Sequence, residues 1–122
     1  MNVSDKQSKP IRDATGNTAK SVVSVADFKA SLPSAAPPPD LDPPLAALWW
    51  AAKGQWDGAH RIVQDEDDKD SAWVHAYLHR VEGDLGNADY WYRRAGQPVA
   101  AGPLETEWER IVATLLQGGG RA

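Results

Sequence analysis

A short pattern of small residues occurs twice in this chain, 29 positions apart. Residues 54–59 align with residues 83–88, each starting with a glycine, and a further alanine, Ala47 or Ala76, precedes that glycine by seven positions. A glycine ends a helix readily because it adopts a positive φ at no steric cost, and an alanine lets a neighbouring helix come close. The pattern therefore predicts two helical hairpins, each with a glycine between its helices.

Composition limits the size of the core and the classes of partner. The chain has 122 residues, and because residues 1–40 are poor in core-forming side chains, roughly 80 remain for the folded domain. Six tryptophans offset this small size, since each buries about 150–250 Å² of surface. A net charge of −4 argues against a nucleic acid or an acidic membrane as the partner, because either would require a basic surface.

The sequence lacks three features, and each lack limits the classes of protein to which the chain could belong. The chain has no cysteine, so it forms neither a disulfide framework nor a thiolate metal site. The N-terminus has no apolar stretch of signal-peptide length, and no run of apolar residues is long enough to span a membrane. We therefore expect a cytoplasmic protein that does not bind membranes.

Residues 1–40 are interpreted as an N-terminal arm. The first 20 residues are polar, mixed in charge and without periodicity, which predicts disorder. Apolar residues then recur at helical spacing, and Ser24 is a candidate N-cap, so a short helix is expected near residues 24–32. Such a short helix is marginal in water alone and has to dock on the domain or on a partner. The proline-rich segment 33–44 predicts an extended linker.

The following residues, 43–117, are expected to form one helical domain, with a flexible tail at 118–122. Prolines, glycines and cap residues divide this domain into helices, and no segment alternates with the period of two that a strand requires. The acidic segment 65–70 is expected to be an exposed loop, with Asp70 or Ser71 capping the next helix. The helices are predicted at about residues 44–53, 57–64, 71–82 and 87–95, and from residue 103 onward.

The spacing of the repeated residues resembles the tetratricopeptide repeat, in which a small residue is followed by a glycine, an aromatic residue and an alanine. The resemblance covers residues 45–95 and is partial. The period is shorter than the family's 34 residues, the first-helix tryptophan is out of register, and Glu66 replaces the small residue that Ala95 supplies in the second copy. The resemblance implies an all-α fold of two stacked hairpins, closed by the C-terminal helix as a cap, with Trp56 and Leu85 filling the turns.

A second resemblance covers more of the chain. The segments 73–80 and 88–96, together with 48–54 and the pair Asp27–Phe28, are similar to a group of short bacterial helical proteins of unassigned function. The similarity extends over residues 25–117. It implies a family and carries no activity, cofactor or site residue with it.

Two histidines and a glutamate share one face of a predicted helix. His75, His79 and Glu82 stand at positions i, i+4 and i+7, and two histidines one turn apart can share a zinc or nickel ion. The hydrolytic HExxH motif is not present, because Ala76 follows the first histidine where that motif has a glutamate. A packing or surface role is favoured, so no metal and no cofactor are predicted. Metal binding, ligand contact and acid–base work remain the alternatives.

Aromatic residues and an arginine share the next predicted helix. Tyr90 and Trp91 each lie on a common face with Arg94, and an arginine beside aromatic rings suits a carboxylate, a phosphate or a flipped base. Tryptophan, tyrosine and arginine also dominate protein-interface hot spots. The structural alternative places Tyr92 in the core and pairs the arginines with nearby acidic residues.

The combined features predict a binding or scaffolding module rather than an enzyme. Its partner is expected to be a protein or a peptide, either from another chain or from the proline-rich arm of this one. A small enzyme, or a small-molecule or metal-binding protein, that uses His75, His79 and Glu82 is the main alternative, and a homodimer is the third. The residues expected to bind the partner are His75, His79, Tyr90, Trp91 and Arg94.

Overall fold

The computed structural model describes residues 23–118. Over that range the chain forms six helices and no strand, so the predicted all-α fold is confirmed. The predicted disorder of residues 1–20 and the tail beyond Gly118 fall outside the described residues. In chain order the helices are α1 (Val25–Ala30), α2 (Pro43–Ala52), α3 (Trp56–Val63), α4 (Lys69–Glu82), α5 (Leu85–Ala95) and α6 (Leu104–Leu116).

Glycines follow the first helix of each consecutive pair. Gly54 comes after α2 with a φ of 79°, and Gly83 comes after α4 with a φ of 89°, a backbone conformation that a residue with a Cβ adopts only at a cost. The chain then turns into α3 and α5, which pack on α2 and α4 respectively. The alanines of the repeat are all buried, which permits close approach of the helices: Ala47, Ala59, Ala76 and Ala88.

Helix α4 lies at the centre of the fold. Nine consecutive residues, from Ser71 to His79, are buried, so this part of the helix is covered on every side. The helices that pack on it are α2, α3, α5 and α6. A helix without an exposed face carries its polar side chains into the interior, where each of them needs a partner.

A buried carboxylate joins three helices. Glu107 on α6 is 2% exposed, and its Oε1 accepts a hydrogen bond of 2.8 Å from the guanidinium of Arg80 on α4. The hydroxyl of Tyr92 on α5 donates to the other carboxylate oxygen. Burial and this carboxylate together raise the pKa of Tyr92 above its usual value, so the phenol keeps its proton and acts as the donor. The buried charge is thus paired and both of its oxygens are satisfied, as burial requires.

The short helix α1 docks on the rest of the domain. Ser24 caps it by accepting a hydrogen bond of 3.1 Å from the backbone N–H of Asp27. Phe28 is fully buried, with its ring centroid 5.6 Å from that of Trp108 on α6. Lys29 forms an ion pair with Glu109 on the same helix. These contacts supply the stabilisation that a helix of six residues lacks on its own.

The predicted start of α4 is wrong. Asp68 is the N-cap, because its carboxylate accepts a hydrogen bond of 2.9 Å from the backbone N–H of Ser71. The helix therefore begins at Lys69, two residues earlier than predicted. Asp70 lies in its first turn and is only 6% exposed, rather than in an exposed acidic loop.

The predicted start of α5 and the role of Leu85 are also wrong. The side chain of Asp84 accepts a hydrogen bond of 3.3 Å from the backbone N–H of Asn87 and so caps the helix, which begins at Leu85. From that first helical position the Leu85 side chain points to solvent and is 61% exposed. The two turns of the repeat are therefore not equivalent, since only Trp56 is partly buried at its position.

Substitution of Gly83 by alanine is expected to lower the free energy of unfolding by about 1–2 kcal/mol, the cost of a left-handed backbone for a residue with a Cβ. Gly86 is the matched control. It lies in the first turn of α5 without a positive φ, and a Cβ there would meet no atom within 4 Å. Gly86→Ala is therefore expected to stabilise the fold by about 0.4–1 kcal/mol. Urea unfolding measures both, and a change of the same sign in the two variants would contradict the assignment.

Substitution of Glu107 by alanine is expected to destabilise the fold by about 3–5 kcal/mol, because it leaves the Arg80 charge without its partner in a largely buried position. Glu105→Ala on the same helix is the control. Its side chain is exposed, so a change within about 0.5 kcal/mol is expected. Chemical unfolding measures the free energy of unfolding of both variants. Equal decreases would show that the buried contacts of Glu107 stabilise the fold no more than an exposed glutamate does.

Candidate functional site

The three histidines of the chain converge between α3 and α4. His75 and His79 lie one turn apart on α4 and are 4% and 6% exposed, while His60 approaches them from α3 and is half-buried. The Nε2 atoms of His60 and His75 are 3.0 Å apart. One ring nitrogen from each histidine lies within 4.8 Å of the other two. Residues that are 19 positions apart in the chain thus form one compact group of nitrogen atoms.

Two tryptophan rings stack on histidines of this group. The indole of Trp56 stacks on His60, with centroids 4.8 Å apart and planes 10° from parallel. The indole of Trp91, on α5, stacks on His75 at 3.9 Å and 17°. Trp56 is fixed in place because its Nε1–H donates a hydrogen bond of 2.6 Å to the carbonyl of Leu78. We call these five side chains the histidine–tryptophan cluster.

Glu82 orients one histidine of the cluster. Its Oε2 lies 2.8 Å from Nδ1 of His79, three residues earlier on α4. A carboxylate at this distance favours the tautomer or charge state with a proton on Nδ1, so in the neutral ring the lone pair is on Nε2. In the predicted set of His75, His79 and Glu82, the histidines and the glutamate therefore have different roles. Glu82 contacts a histidine, and the third nitrogen of the group comes from His60.

Burial lowers the pKa of two histidines of the cluster, His75 and His60. Removal from water lowers the pKa of His75 to about 4, and the neighbouring His60 and His79 add to the shift because a second charge nearby is unfavourable. Burial also lowers the pKa of His60 below its usual value. Nδ1 of His75 has no hydrogen-bond partner within residues 23–118. At neutral pH, His60 and His75 are therefore uncharged imidazoles.

The cluster continues outward into an aromatic and cationic surface. The guanidinium carbon of Arg94 lies 5.3 Å from the ring centroid of Trp91 and 5.9 Å from that of Tyr90, both on α5. Arg94 also donates a hydrogen bond of 3.2 Å to the Tyr90 hydroxyl. The five residues predicted to bind a partner therefore form one continuous run: His79, His75, Trp91, Arg94 and Tyr90.

The sequence analysis missed His60 and Trp56 as members of the site. Both come from α3, on which they are spaced i and i+4 and hence share a face. The signal that could have revealed them is the short connection between Val63 and Lys69, because helices joined by a few residues are usually neighbours in space.

No protein-family model, curated protein sequence or solved structure matches this chain. The resemblances stated from the sequence therefore stay predictions. Within residues 23–118, none of the helices combines the length and the apolar character needed to cross a bilayer.

In metal-free buffer, the free energy of unfolding is expected to decrease as the pH falls from about 6.5 to about 4. His75 has a pKa near 6.5 when unfolded and about 4 when folded, so in this window the unfolded chain binds more protons and acid favours it. Below this pH window, His75 lowers the free energy of unfolding by about 3 kcal/mol relative to neutral pH. Urea unfolding at several pH values tests this, with His75→Gln as the control. A variant with the same pH dependence as the wild type would contradict the assignment.

Proposed function

We propose that the protein is a helical binding module that recognises an acidic segment of another protein. The observation that carries this proposal is the position of the Arg94 guanidinium, which lies over both Trp91 and Tyr90 on an exposed part of α5. An arginine held against aromatic rings keeps its donors in a fixed plane, which suits the two oxygens of a carboxylate. The aromatic rings add apolar contact area beside that charge.

The charge of this surface supports an acidic partner. Arg93 and Arg94 are consecutive and exposed, and within the described part of the chain neither is in an ion pair. Their charges are therefore available to a partner, although the whole chain carries a net charge of −4. A local cationic patch on an acidic protein restricts binding to one place and one orientation.

We assign His75 and His79 to a supporting role in this module. Both are almost completely buried, so we place them beneath the surface that contacts a partner rather than on it. His75 instead supports the Trp91 ring from beneath, since the two rings stack at 3.9 Å. A ring held in this way loses little conformational freedom on binding, which favours affinity.

We further propose that the architecture is a divergent tetratricopeptide-like pair of hairpins. Support comes from the glycine turns at Gly54 and Gly83 and from the extensive packing of α2 on α3 and of α4 on α5. Helix α6 packs on α1, α2 and α4, a position consistent with a helix that closes the domain. Stacked hairpins of this kind commonly bind peptide segments.

A fluorescein-labelled peptide rich in glutamate is expected to bind the wild-type protein, and a lysine-rich peptide of the same length is not. The double variant Arg93→Ala/Arg94→Ala is expected to weaken binding at least about tenfold, because it removes the charge and the planar donors together. Fluorescence polarisation measures both affinities, and binding is expected to weaken as salt is added.

Arg110→Ala is the matched control for this experiment, since Arg110 is an exposed arginine on α6. This variant is expected to bind the acidic peptide as the wild type does. An equal loss of peptide affinity in the control and in the double variant would mean that overall charge, rather than this surface, determines binding. Absence of any preference for the acidic peptide would reject the proposal.

A further inference from the structure

We propose that His60, His75 and His79 together bind a divalent transition-metal ion of the zinc, nickel and copper group. This site shares Trp91 with the arginine surface, but the proposal does not depend on the proposed peptide binding. It includes every histidine in the chain, brought from two helices to within 4.8 Å of one another. The proposal also changes the assignment made from the sequence, where packing was favoured for the pair on α4.

The spacing of the nitrogen atoms is close to that of a tetrahedral metal site. Zinc–nitrogen bonds of about 2.0–2.1 Å at tetrahedral angles place two ligand nitrogens about 3.3 Å apart. The Nε2 atoms of His60 and His75 are 3.0 Å apart, so a bound ion requires them to separate by only a few tenths of an ångström. The third nitrogen lies within 4.8 Å of both, so an ion requires it to move toward them by up to about 1.5 Å.

The surroundings of His79 match those of a metal ligand. Metal-binding histidines usually donate the other ring N–H to a carboxylate or a carbonyl, which fixes the tautomer and makes the coordinating nitrogen more basic. Glu82 is placed for this function, 2.8 Å from Nδ1 of His79. Its carboxylate, with that of Asp57, also acts electrostatically on His60 and offsets part of the charge of a divalent ion.

The chemistry of the donors selects the class of metal. Three imidazole nitrogens without a carboxylate or a thiolate among them suit zinc, nickel and copper, whereas magnesium and calcium require oxygen ligands. Three protein ligands leave a further coordination position for water or for a group from a partner. His60 is only half-buried, so the group lies within reach of solvent on its side.

A direct hydrogen bond between His60 and His75 is the competing interpretation of the 3.0 Å distance. That bond joins two of the rings only. Under this interpretation, His79 is positioned by stacking on His75 and by its hydrogen bond to Glu82. A metal ion accounts for all three nitrogens and for Glu82.

Titration of tag-free, chelator-treated full-length protein with zinc, nickel or copper chloride tests the proposal. We expect one ion per chain by calorimetry, a change in tryptophan fluorescence because Trp56 and Trp91 stack on the ligands, and a higher melting temperature. Magnesium and calcium chloride are expected to produce none of these changes. For the copper-loaded protein, the electron paramagnetic resonance spectrum is expected to show coordination by several nitrogens.

The variants are chosen so that folding is preserved. His60→Ala removes the most accessible ligand and is expected to weaken zinc binding at least about 100-fold, while Arg61→Ala, its exposed neighbour, leaves binding unchanged. Glu82→Gln is expected to weaken binding about 10–100-fold, and Glu66→Gln, an exposed carboxylate away from the cluster, is its control. Circular dichroism establishes that each variant is folded.

Three results would overturn the proposal: no stoichiometric uptake by the wild type, equal affinity in folded His60→Ala, or equal binding of magnesium. In each case the direct hydrogen bond between His60 and His75 becomes the better account of the cluster. Binding of the acidic peptide is measured with chelator-treated protein, so failure of the metal site and failure of the arginine surface are observed independently.

Discussion

The burial of α4 on all sides is the constraint on which the rest of the structure depends. Four other helices pack on it, and nine consecutive residues lose nearly all contact with water. The helix nevertheless carries two histidines within that stretch and an arginine directly after it. Because polar groups without partners are costly inside a protein, the neighbouring helices have to supply partners for these side chains.

The side chains that contact these polar residues of α4 lie on several different helices. His75 and His79 meet His60 from α3, the Trp91 ring from α5 and the carboxylate of Glu82 from α4 itself. Arg80, one residue further along, reaches Glu107 on α6. Polar contacts therefore connect the central helix to α3 and α6, and ring stacking connects it to α5, in addition to the apolar core.

Trp91 connects the two proposed sites. Its ring stacks on His75 and also lies beneath the guanidinium of Arg94. An ion that moved the His75 ring would therefore also act on the surface that we propose contacts a partner. Any such effect is reciprocal, because coupling between two binding equilibria has the same size in both directions.

The sequence by itself determined the helices, their glycine turns and the small residues between them, because these depend on the local backbone and on the periodicity of a single helix. It also predicted His75, His79, Tyr90, Trp91 and Arg94 as binding residues, and these lie next to one another in the structure. Only the tertiary structure decided that His60 and Trp56 join them and that Glu107 is buried while Leu85 is exposed. These outcomes depend on which faces of different helices meet, and the angle and register of packing are not encoded in the spacing within one helix.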